Sequence, residues 1–441
     1  MMNTRSFFTR LLRSVAAPVD SARTAERKAR EAIALCHALL SERGEVSGAA
    51  LARDALAAYD ALPANAFTFF VNFLARDFAP LPAKIASAVT AYSLEASPRN
   101  LVALQRAVEP PRQELFRRLN VAPGATAALV DMRRRLLREL KANPDWYGVD
   151  ADLEHLFGSW FNRGFLRLER IDWRTPALIL EKLIEYEAVH QITGWKDLHR
   201  RLAADRRCFA FFHPALPEEP LIFIEAALTE RISTDVAPLL DPELPEADPA
   251  LADCAIFYSI TNCQDGLRGI SFGNLLIKQV VYELGREFPR LKTFATLSPV
   301  PGFRAWLDEA AASHAERLPD FTCLNDADWF ANGLLAERLR EPLMELCAYY
   351  LTCVKKNAEP LDPVARFHLG NGARMQKLNW LADTSRQGMH RSAGVMVNYL
   401  YRLADVEKNH EAFVRHHEVA ASHELKKLAR ECVLAADGIS A

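Results

Sequence analysis

The sequence predicts an α+β protein, in which an all-helical N-terminal domain precedes a mixed α/β domain. A chain of 441 residues is long enough for two or three domains. Helical periodicity runs from about residue 20 to residue 190, and beyond that point short apolar runs of strand length alternate with helical segments. We therefore expect one domain over residues 1–190 and a second over residues 191–441.

The N-terminal domain is predicted to be a helical bundle. Its segments are rich in Ala, Leu, Arg and Glu, and their apolar residues recur at helical spacing. Prolines between the segments end one helix before the next begins. The apolar stripes are expected to form a core; in the alternative, one face contacts another subunit and makes this the oligomerisation domain. The segments are Ala25–Ser41, Gly48–Ala61, Leu101–Arg118 and Ala125–Lys141.

The second domain begins with a predicted hairpin. Cys208–Phe212 and Leu221–Leu228 are apolar runs of strand length, and the proline-bounded turn Pro214–Pro220 lies between them. Residues 233–253 are rich in Pro, Asp and Glu, which is typical of an exposed insertion. The remaining elements are strands at Cys254–Ile260 and Phe294–Ser298, helices at Leu275–Phe288 and Phe303–Arg317, and further helices between Asp326 and His368.

Glycine is concentrated at one strand-to-helix turn. Gly266, Gly269 and Gly273 fall within eight positions of a chain that has only 18 glycines. Such a turn presents unpaired N–H groups and the positive end of a helix dipole to one spot, and glycine lets the backbone approach a ligand there. The turn therefore suits a phosphate. It has neither the Gly-Lys-Ser/Thr of a P-loop nor Gly-x-Gly-x-x-Gly, so spacing alone leaves an ordinary structural turn equally open.

Bulk composition excludes several classes of protein. The formal net charge of −2 and a pI near 6.7 do not indicate a nucleic-acid-binding protein. No apolar run approaches the length of a membrane span, so we expect no membrane partner. The eight cysteines form no Cys-x-x-Cys pair, which predicts no metal site and reduced thiols in a cytosol-like compartment.

The N-terminus allows two interpretations. Arg5, Arg10 and Arg13 alternate with apolar residues, and no acidic residue precedes Asp20, as in a mitochondrial presequence. Arginine and alanine are abundant throughout the chain, however, and this favours a basic tail on a bacterial cytoplasmic protein. We expect a cytoplasmic location, with the mitochondrial matrix as the alternative if residues 1–19 are a presequence.

Several motifs give the chain its resemblance to a known family. Ser259–Phe303 contains Asp-Gly-Leu-Arg-Gly-Ile-Ser-Phe-Gly-Asn followed by Leu-Ser-Pro-Val-Pro-Gly-Phe, and Arg366–Ala373 reads Arg-Phe-His-Leu-Gly-Asn-Gly-Ala. Together with motifs near Arg170, Glu187 and His213, these stretches resemble the malonyl-CoA decarboxylase family over at least residues 160–401. The resemblance implies a catalytic domain with the GNAT-type acyltransferase fold, in which the glycine-bearing turn holds the pyrophosphate of coenzyme A.

The resemblance also implies roles for individual residues. Ser298 matches the catalytic serine that contacts the malonyl group as proton acceptor, and His368 matches the histidine that acts as proton donor. Asn398 and Tyr401 lie in an Asn-Tyr-x-Tyr run and are expected to orient His368, although core packing explains the tyrosine equally well. Hydroxyl and imidazole groups suit a proton relay near neutral pH.

Residues of the turn are expected to contact coenzyme A by the same resemblance. One of them, Ser271, stands where animal members of the family have a glutamate, so the resemblance carries no carboxylate role over to this position. The cofactor-binding residues expected are Arg268, Gly269, Ile270, Ser271, Phe272, Gly273 and Asn274.

The expected activity is the conversion of malonyl-CoA to acetyl-CoA and CO2 by enolate stabilisation and proton donation. Since the thioester carbonyl accepts the electron pair, no metal, biotin or pyridoxal phosphate is expected. Strand Cys254–Ile260 is expected to supply a backbone N–H as oxyanion donor, by analogy with the fold. The alternatives are an acyl-CoA-dependent acyltransferase and a non-catalytic acyl-CoA sensor. The expected partners are malonyl-CoA and further copies of the chain, in a dimer or tetramer.

Overall fold

The computed structural model describes residues 4–42, 44–270, 276–326 and 328–437. The chain divides into two compact units. The first contains Met1–Phe165 together with the short segments Pro214–Pro217 and Gln264–Phe272, and the second contains the remainder. The arrangement differs from the sequence-based expectation in two ways: the units change near residue 165 rather than 190, and Gly266 and Gly269 are grouped with the helical unit. The predicted domain boundary stays a prediction.

The first unit is helical, as predicted. Its core contains the buried aromatic residues Phe67, Phe116, Trp146 and Phe157, and the Trp146 indole donates a hydrogen bond to Asn72 over 2.7 Å. The helices are α1 Thr4–Ser41, α2 Glu45–Asp60, α3 Phe67–Asp77, α4 Pro82–Leu94, α5 Pro98–Val108, α6 Pro111–Leu119, α7 Ala125–Glu139 and α8 Tyr147–Trp160.

One predicted helix is in fact two. The segment Leu101–Arg118 is divided between α5 and α6. Pro110 and Pro111 cause the break, because proline lacks an N–H group and disfavours a helical conformation in the residue before it. Pro111 instead begins α6 at a position where the missing N–H group has no helical partner to lose.

The second unit is an α+β structure, again as predicted. Its strands are β1 Arg167–Ile171, β2 Arg206–Phe212, β3 Ile222–Thr229, β4 Cys254–Asn262, β5 Thr293–Thr296, β6 Ser298–Pro299, β7 Lys355–Lys356, β8 Glu359–Pro360, β9 Arg374–Asn379 and β10 Met396–Leu400. Its helices are α9 Ala177–Tyr186, α10 Trp195–Arg201, α11 Ala237–Leu240, α12 Leu276–Glu287, α13 Phe303–Ser313, α14 Gly333–Thr352, α15 Pro363–Gly370, α16 Arg386–Ser392, α17 Leu403–His416 and α18 His423–Glu431.

One mixed sheet organises the second unit. Its strand order is β1-β2-β3-β4-β5-β10-β6, and β9 pairs with the free side of β10. The predicted hairpin of β2 and β3 is present, and β4 and β5 run parallel from the pair Cys254 and Thr293 to the pair Phe257 and Thr296. The predicted strand Phe294–Ser298 is interrupted at Leu297, and its two parts, β5 and β6, both pair with β10.

Strand β1 differs from the sequence-based expectation of helix up to residue 190. It pairs antiparallel with β2, from Arg167 opposite Phe212 to Ile171 opposite Cys208. It forms an edge of the sheet, and only Ile171 is buried. Its exposed charged residues have a composition typical of helices here, so only the pairing with β2 reveals the strand.

The core of the second unit lies against the middle of this sheet. Buried residues of β4, β5 and β10 form one cluster with Val236 and Leu239, which anchor the largely exposed insertion 233–253. Among the described residues, no helix is long and apolar enough to cross a membrane.

Candidate active site

Ser298 lies at the start of β6, in the middle of the mixed sheet. Its backbone is opposite Val397 of β10, and the preceding residue, Leu297, donates its N–H group to the carbonyl of Phe257 over 3.0 Å. Ser298 is buried, with 6% of its surface exposed. Pro299 and Pro301 follow and restrict the backbone on one side. The hydroxyl group is therefore presented from a stiff part of the sheet.

His368 is placed by α15. Asp362 precedes this helix, and its carboxylate accepts hydrogen bonds from the N–H groups of Val364 and Ala365, each over 2.9 Å. Such a cap satisfies N–H groups that have no partner within the helix. The helix directs the buried imidazole towards the sheet, where its Nε2 lies 3.0 Å from the Ser298 Oγ. The two predicted catalytic residues, 70 positions apart, are thus in hydrogen-bond contact.

Tyrosine side chains surround the other parts of the imidazole. The Tyr401 hydroxyl lies 2.8 Å from His368 Nδ1. The ring of Tyr399 stacks on the imidazole, with a centroid separation of 4.3 Å and an interplanar angle of 26°. Tyr401 therefore lies where a residue that orients His368 should lie, and Tyr399 restricts rotation of the ring.

Burial determines the charge of this group. Loss of hydration lowers the pKa of His368 to about 3 and raises the pKa of Tyr401 well above its usual range. At neutral pH the imidazole is therefore uncharged, and the Tyr401 hydroxyl keeps its proton.

The hydrogen bonds also indicate which imidazole nitrogen carries the proton. The Ser298 hydroxyl donates to Thr296 Oγ1 over 2.9 Å, so the Ser298 oxygen is free to accept from His368 Nε2. The protonated Tyr401 then donates to Nδ1, because a neutral imidazole has one donor and one acceptor. This assignment places the imidazole proton on Nε2, the nitrogen that faces Ser298.

Asn398 occupies a different position from the one expected. Its amide group donates to the carbonyls of Thr296 and Ser233, over 2.7 and 3.1 Å, and its oxygen accepts from Asn379 over 2.7 Å. Because both amide hydrogens are used in this way, Asn398 holds the backbone of β5 just before Ser298. It supports the serine rather than the imidazole.

Two residues of this cluster are absent from the sequence-based set. Thr296 accepts from Ser298 and from the Tyr399 backbone N–H, the latter over 3.1 Å, and it is fully buried. Tyr399 stacks on His368. Both could have been found from the alternation of side chains along a strand, because residues two positions apart lie on the same face. Thr296 shares a face with Ser298 in this way, and Tyr399 shares one with Tyr401.

Strands β4 and β5 separate beside the serine. Their parallel pairing ends at Phe257 and Thr296. On the other side of β4, the register with β3 shifts between Glu225 and Ala226, which leaves Tyr258 as an extra residue in a β-bulge. A bulge redirects backbone groups away from regular ladder pairing.

The predicted coenzyme A segment is described in part. Arg268, Gly269 and Ile270 belong to the first compact unit. The Arg268 side chain is 70% exposed, and Gly269 has a positive φ of 85°, a conformation that favours glycine. Ser271, Phe272, Gly273 and Asn274 lie outside the described residues.

Within the described ranges, no group of three or more His, Cys, Asp and Glu residues is arranged to hold a metal ion. All eight cysteines are free thiols there. What the Ser298 cluster offers chemically is a hydroxyl and an imidazole in a directed hydrogen-bond chain.

Comparison with known proteins relates both parts of the chain to one family. Residues 164–437 match the malonyl-CoA decarboxylase C-terminal domain, and residues 78–161 match the malonyl-CoA decarboxylase N-terminal domain. The mitochondrial malonyl-CoA decarboxylase of Anser anser anser is 37% identical over 346 residues, which are 72% of this chain and 69% of the relative.

Solved structures are similar along most of the chain. Malonyl-CoA decarboxylase from Rhodopseudomonas palustris is 51% identical, with a TM-score of 0.85, over 90% of this chain and 99% of that one. The enzyme of the same name from Agrobacterium vitis is 49% identical, with a TM-score of 0.84, over the same shares of the two chains.

Proposed function

Because the chain belongs to the malonyl-CoA decarboxylase family, we propose that Ser298 and His368 carry out the proton transfer of its reaction. The substrate is malonyl-CoA, and the products are acetyl-CoA and CO2. The reaction breaks the bond between the carboxylate and the α-carbon. The electron pair of that bond moves into the thioester to form an enolate, and the α-carbon then takes up one proton.

One observation carries the assignment of roles: a buried imidazole has Tyr401 at Nδ1 and Ser298 at Nε2, at 2.8 and 3.0 Å. Nε2 is the nitrogen that carries the proton in the assignment above. Once substrate binding has added a second proton to His368 at Nδ1, with the Tyr401 hydroxyl turned to accept it, Ser298 gives its hydroxyl proton to the α-carbon as its oxygen accepts the Nε2 proton. The imidazole is left neutral with its proton on Nδ1, so the histidine is the donor and the serine the acceptor and relay.

Charge balance predicts that the imidazole takes up a proton when the substrate binds. A malonyl carboxylate next to His368 favours the protonated imidazole, because an opposite charge raises the pKa of a base. The proton taken up on binding then neutralises the enolate, and the site is uncharged again once CO2 and acetyl-CoA are formed. We propose that no metal, biotin or pyridoxal phosphate takes part, since the thioester itself accepts the electron pair.

We assign stabilisation of the enolate oxygen to the bulged end of β4. The support is local: β4 leaves β5 after Phe257, and Tyr258 lies outside the ladder register. Preorganised backbone N–H groups at such a place stabilise developing charge without reorganising during the reaction. A parallel pair of strands that separates beside the thioester is also the arrangement expected for a GNAT-type domain, and this assignment remains part of the proposal.

Binding of the coenzyme A portion is assigned to residues 268–274. Arg268 supplies an exposed positive charge, and Gly269 supplies backbone without a side chain. Ser271 offers a hydroxyl group in place of the animal glutamate, so its contribution is a hydrogen bond rather than a charge.

We further propose that the protein is a homo-oligomer. The helices α4 and α5 contain no buried residue, although α4 is largely apolar. Leu94 is 84% exposed, and Val89, Leu101 and Val102 are more than 40% exposed. Short helices with no buried face are only marginally stable alone, so this pair is expected to be covered by a second copy of the chain.

We propose a cytoplasmic location, and the support is compositional. The cysteines are free thiols in the described structure, and arginine and alanine are abundant far beyond the N-terminus. A reporter fused behind residues 1–19 tests the alternative, because a mitochondrial presequence directs the reporter to the matrix.

Incubation of the protein with malonyl-CoA and no acceptor tests the reaction. Release of CO2 with stoichiometric acetyl-CoA is the expected result. An acyltransferase would release CO2 or CoA only when an acceptor is supplied, and a sensor would bind malonyl-CoA without consuming it.

A further inference from the structure

The helical unit contains a buried arginine whose contacts the decarboxylation mechanism does not use. Arg133, on α7, has only 3% of its side chain exposed. Its Nε donates to Asp150 over 2.7 Å, and its Nη2 lies 3.6 Å from Glu154. Both carboxylates are on α8. A cation buried at this depth requires such partners, because desolvation without them is costly.

The same guanidinium also holds main chain. Its Nη1 donates to the carbonyl of Gly266 over 3.0 Å and to the carbonyl of Arg268 over 2.7 Å. These two carbonyls flank Leu267, which is itself buried. Arg133 of α7 thus holds the backbone on both sides of Leu267, two residues before Gly269.

Close packing reinforces this attachment. A Cβ atom on Gly266 would lie 2.0 Å from the Val130 carbonyl oxygen of α7, a separation that no side chain tolerates. A Cβ atom on Gly269 would lie 3.3 Å from a carboxylate oxygen of Glu154. The glycines of this turn therefore also serve its contact with α7 and α8, in addition to leaving space for a ligand.

We infer that Arg133 is a positioning residue for the coenzyme A segment. Because its guanidinium is a planar fork of N–H groups, it bridges Asp150 and two carbonyls at once, which a lysine ammonium on a flexible stem does less well. It thereby restricts the backbone dihedral angles at residues 266–268. These angles set the direction of the Arg268 side chain and the position of the Gly269 backbone. This inference rests on the proposed binding of coenzyme A by residues 268–274.

A Michaelis constant separates this role from a catalytic one. In Arg133→Met, the KM for malonyl-CoA and the Kd for CoA are expected to rise by about tenfold or more, the loss expected for hydrogen bonds to a charged group. The kcat is expected to change by less than about twofold, because Ser298 and His368 are untouched. Arg133→Lys, which keeps the charge and part of the donor set, should recover some of the affinity.

Arg134→Met is the matched control, since the same residue type is removed from the adjacent position of α7, where the side chain pairs only with Asp131 among the described contacts. Its KM and Kd should equal those of the native protein. The inference is overturned if folded Arg133→Met binds CoA with native affinity, or if kcat falls as far as affinity. If Arg133→Met does not fold, Arg133→Lys decides: a Kd raised about threefold or more supports the inference, and a native Kd overturns it.

A reference variant distinguishes this inference from the proposed function. Gly269→Val alters the coenzyme A segment directly, at a residue with positive φ. If it weakens CoA binding while Arg133→Met does not, the role of Arg133 is wrong and the binding segment stands. If neither variant changes the Kd for CoA measured by calorimetry, both the segment and the role of Arg133 are wrong, although decarboxylation itself is unaffected.

Discussion

At the scale of single residues, the directed hydrogen-bond chain decides how the site works. Tyr401, His368, Ser298 and Thr296 are joined by contacts of 2.8 to 3.0 Å, all of them buried. Burial favours the neutral forms of His368 and Tyr401. A charge that forms in this site during the reaction is therefore stable only with an opposite charge next to it. In the proposed mechanism the bound substrate supplies that counter-charge, so we expect the site to favour a thioester that carries a carboxylate.

Substitution of Ser298 and His368, the residues proposed to transfer the proton, tests this hydrogen-bond chain. His368→Asn is expected to lower kcat by about 10²-fold or more, in the range of general acid catalysis, with little change in the Kd for CoA. Ser298→Ala should lower kcat as well. The double variant should lose less than the product of the two single losses, because both residues act on one intermediate. Losses that multiply fully would assign the two residues to separate steps.

The pH dependence of stability follows from the buried imidazole. Folding lowers the pKa of His368 to about 3. Between about pH 6.5 and pH 3, the unfolded chain therefore binds a proton at this residue and the folded chain does not. The native protein therefore loses stability as the pH falls from about 6.5 towards 3, by up to about 1.4 kcal/mol per pH unit from this group.

Urea unfolding of native protein and His368→Asn at several pH values isolates that contribution. The free energy of unfolding of the native protein, relative to the variant, is expected to fall between pH 6.5 and pH 4. The difference is used because other buried groups also titrate: burial raises the pKa of Asp362 to about 6, and this acts in the opposite direction. A difference that is constant with pH would mean that His368 is hydrated in the folded state.

At the scale of elements, α15 links a helix cap to the position of the imidazole. Asp362 accepts from two N–H groups at the first turn of this eight-residue helix, and His368 lies in its last turn. A short helix has few hydrogen bonds of its own, so loss of its cap affects its whole length.

Two substitutions of Asp362 separate its cap from its charge. Asp362→Ala removes the acceptor and is expected to lower the free energy of unfolding by about 1 kcal/mol or more and also to reduce kcat, because His368 moves with the helix. Asp362→Asn keeps an acceptor oxygen and should retain most of both quantities. Thermal unfolding and steady-state kinetics provide the measurements. If Asp362→Ala keeps native kcat, the cap does not position His368.

At the scale of the whole molecule, helices α4 and α5 predict assembly. Val102→Glu places a charge on the exposed apolar surface of α5 and is expected to shift the particle to a smaller mass in light scattering, while kcat of the folded product changes little. Gln105→Glu adds the same charge to the same helix at an exposed polar position and should leave the mass unchanged. An unchanged mass in Val102→Glu, and in Val89→Glu on α4, would place the subunit contact elsewhere.

Much of this molecule was predictable because the signals are local. Helical spacing, proline breaks and short apolar runs identify the helical part, the β2–β3 hairpin and strand β4, since each pattern extends over only a few residues. The sequence motifs around Ser298, His368 and Arg268 are equally local, and their resemblance to one family predicted the reaction. Where the local signal was weak, prediction failed: the exposed, charged edge strand β1 was taken for helix, and Pro110 divides what was taken as one helix.

The sequence by itself indicated the helical part, the β2–β3 hairpin and strand β4, identified the family, and predicted Ser298 and His368 as the catalytic pair. Only the tertiary structure decided what lies around that pair: Tyr401 at Nδ1, Thr296 beneath the serine, and Asn398 on the backbone of β5 rather than on the imidazole. It also decided that Arg133 holds the turn at residues 266–268. The physical reason is that these contacts join residues far apart in the chain, so they depend on how whole elements pack and leave no periodic signal in any short stretch.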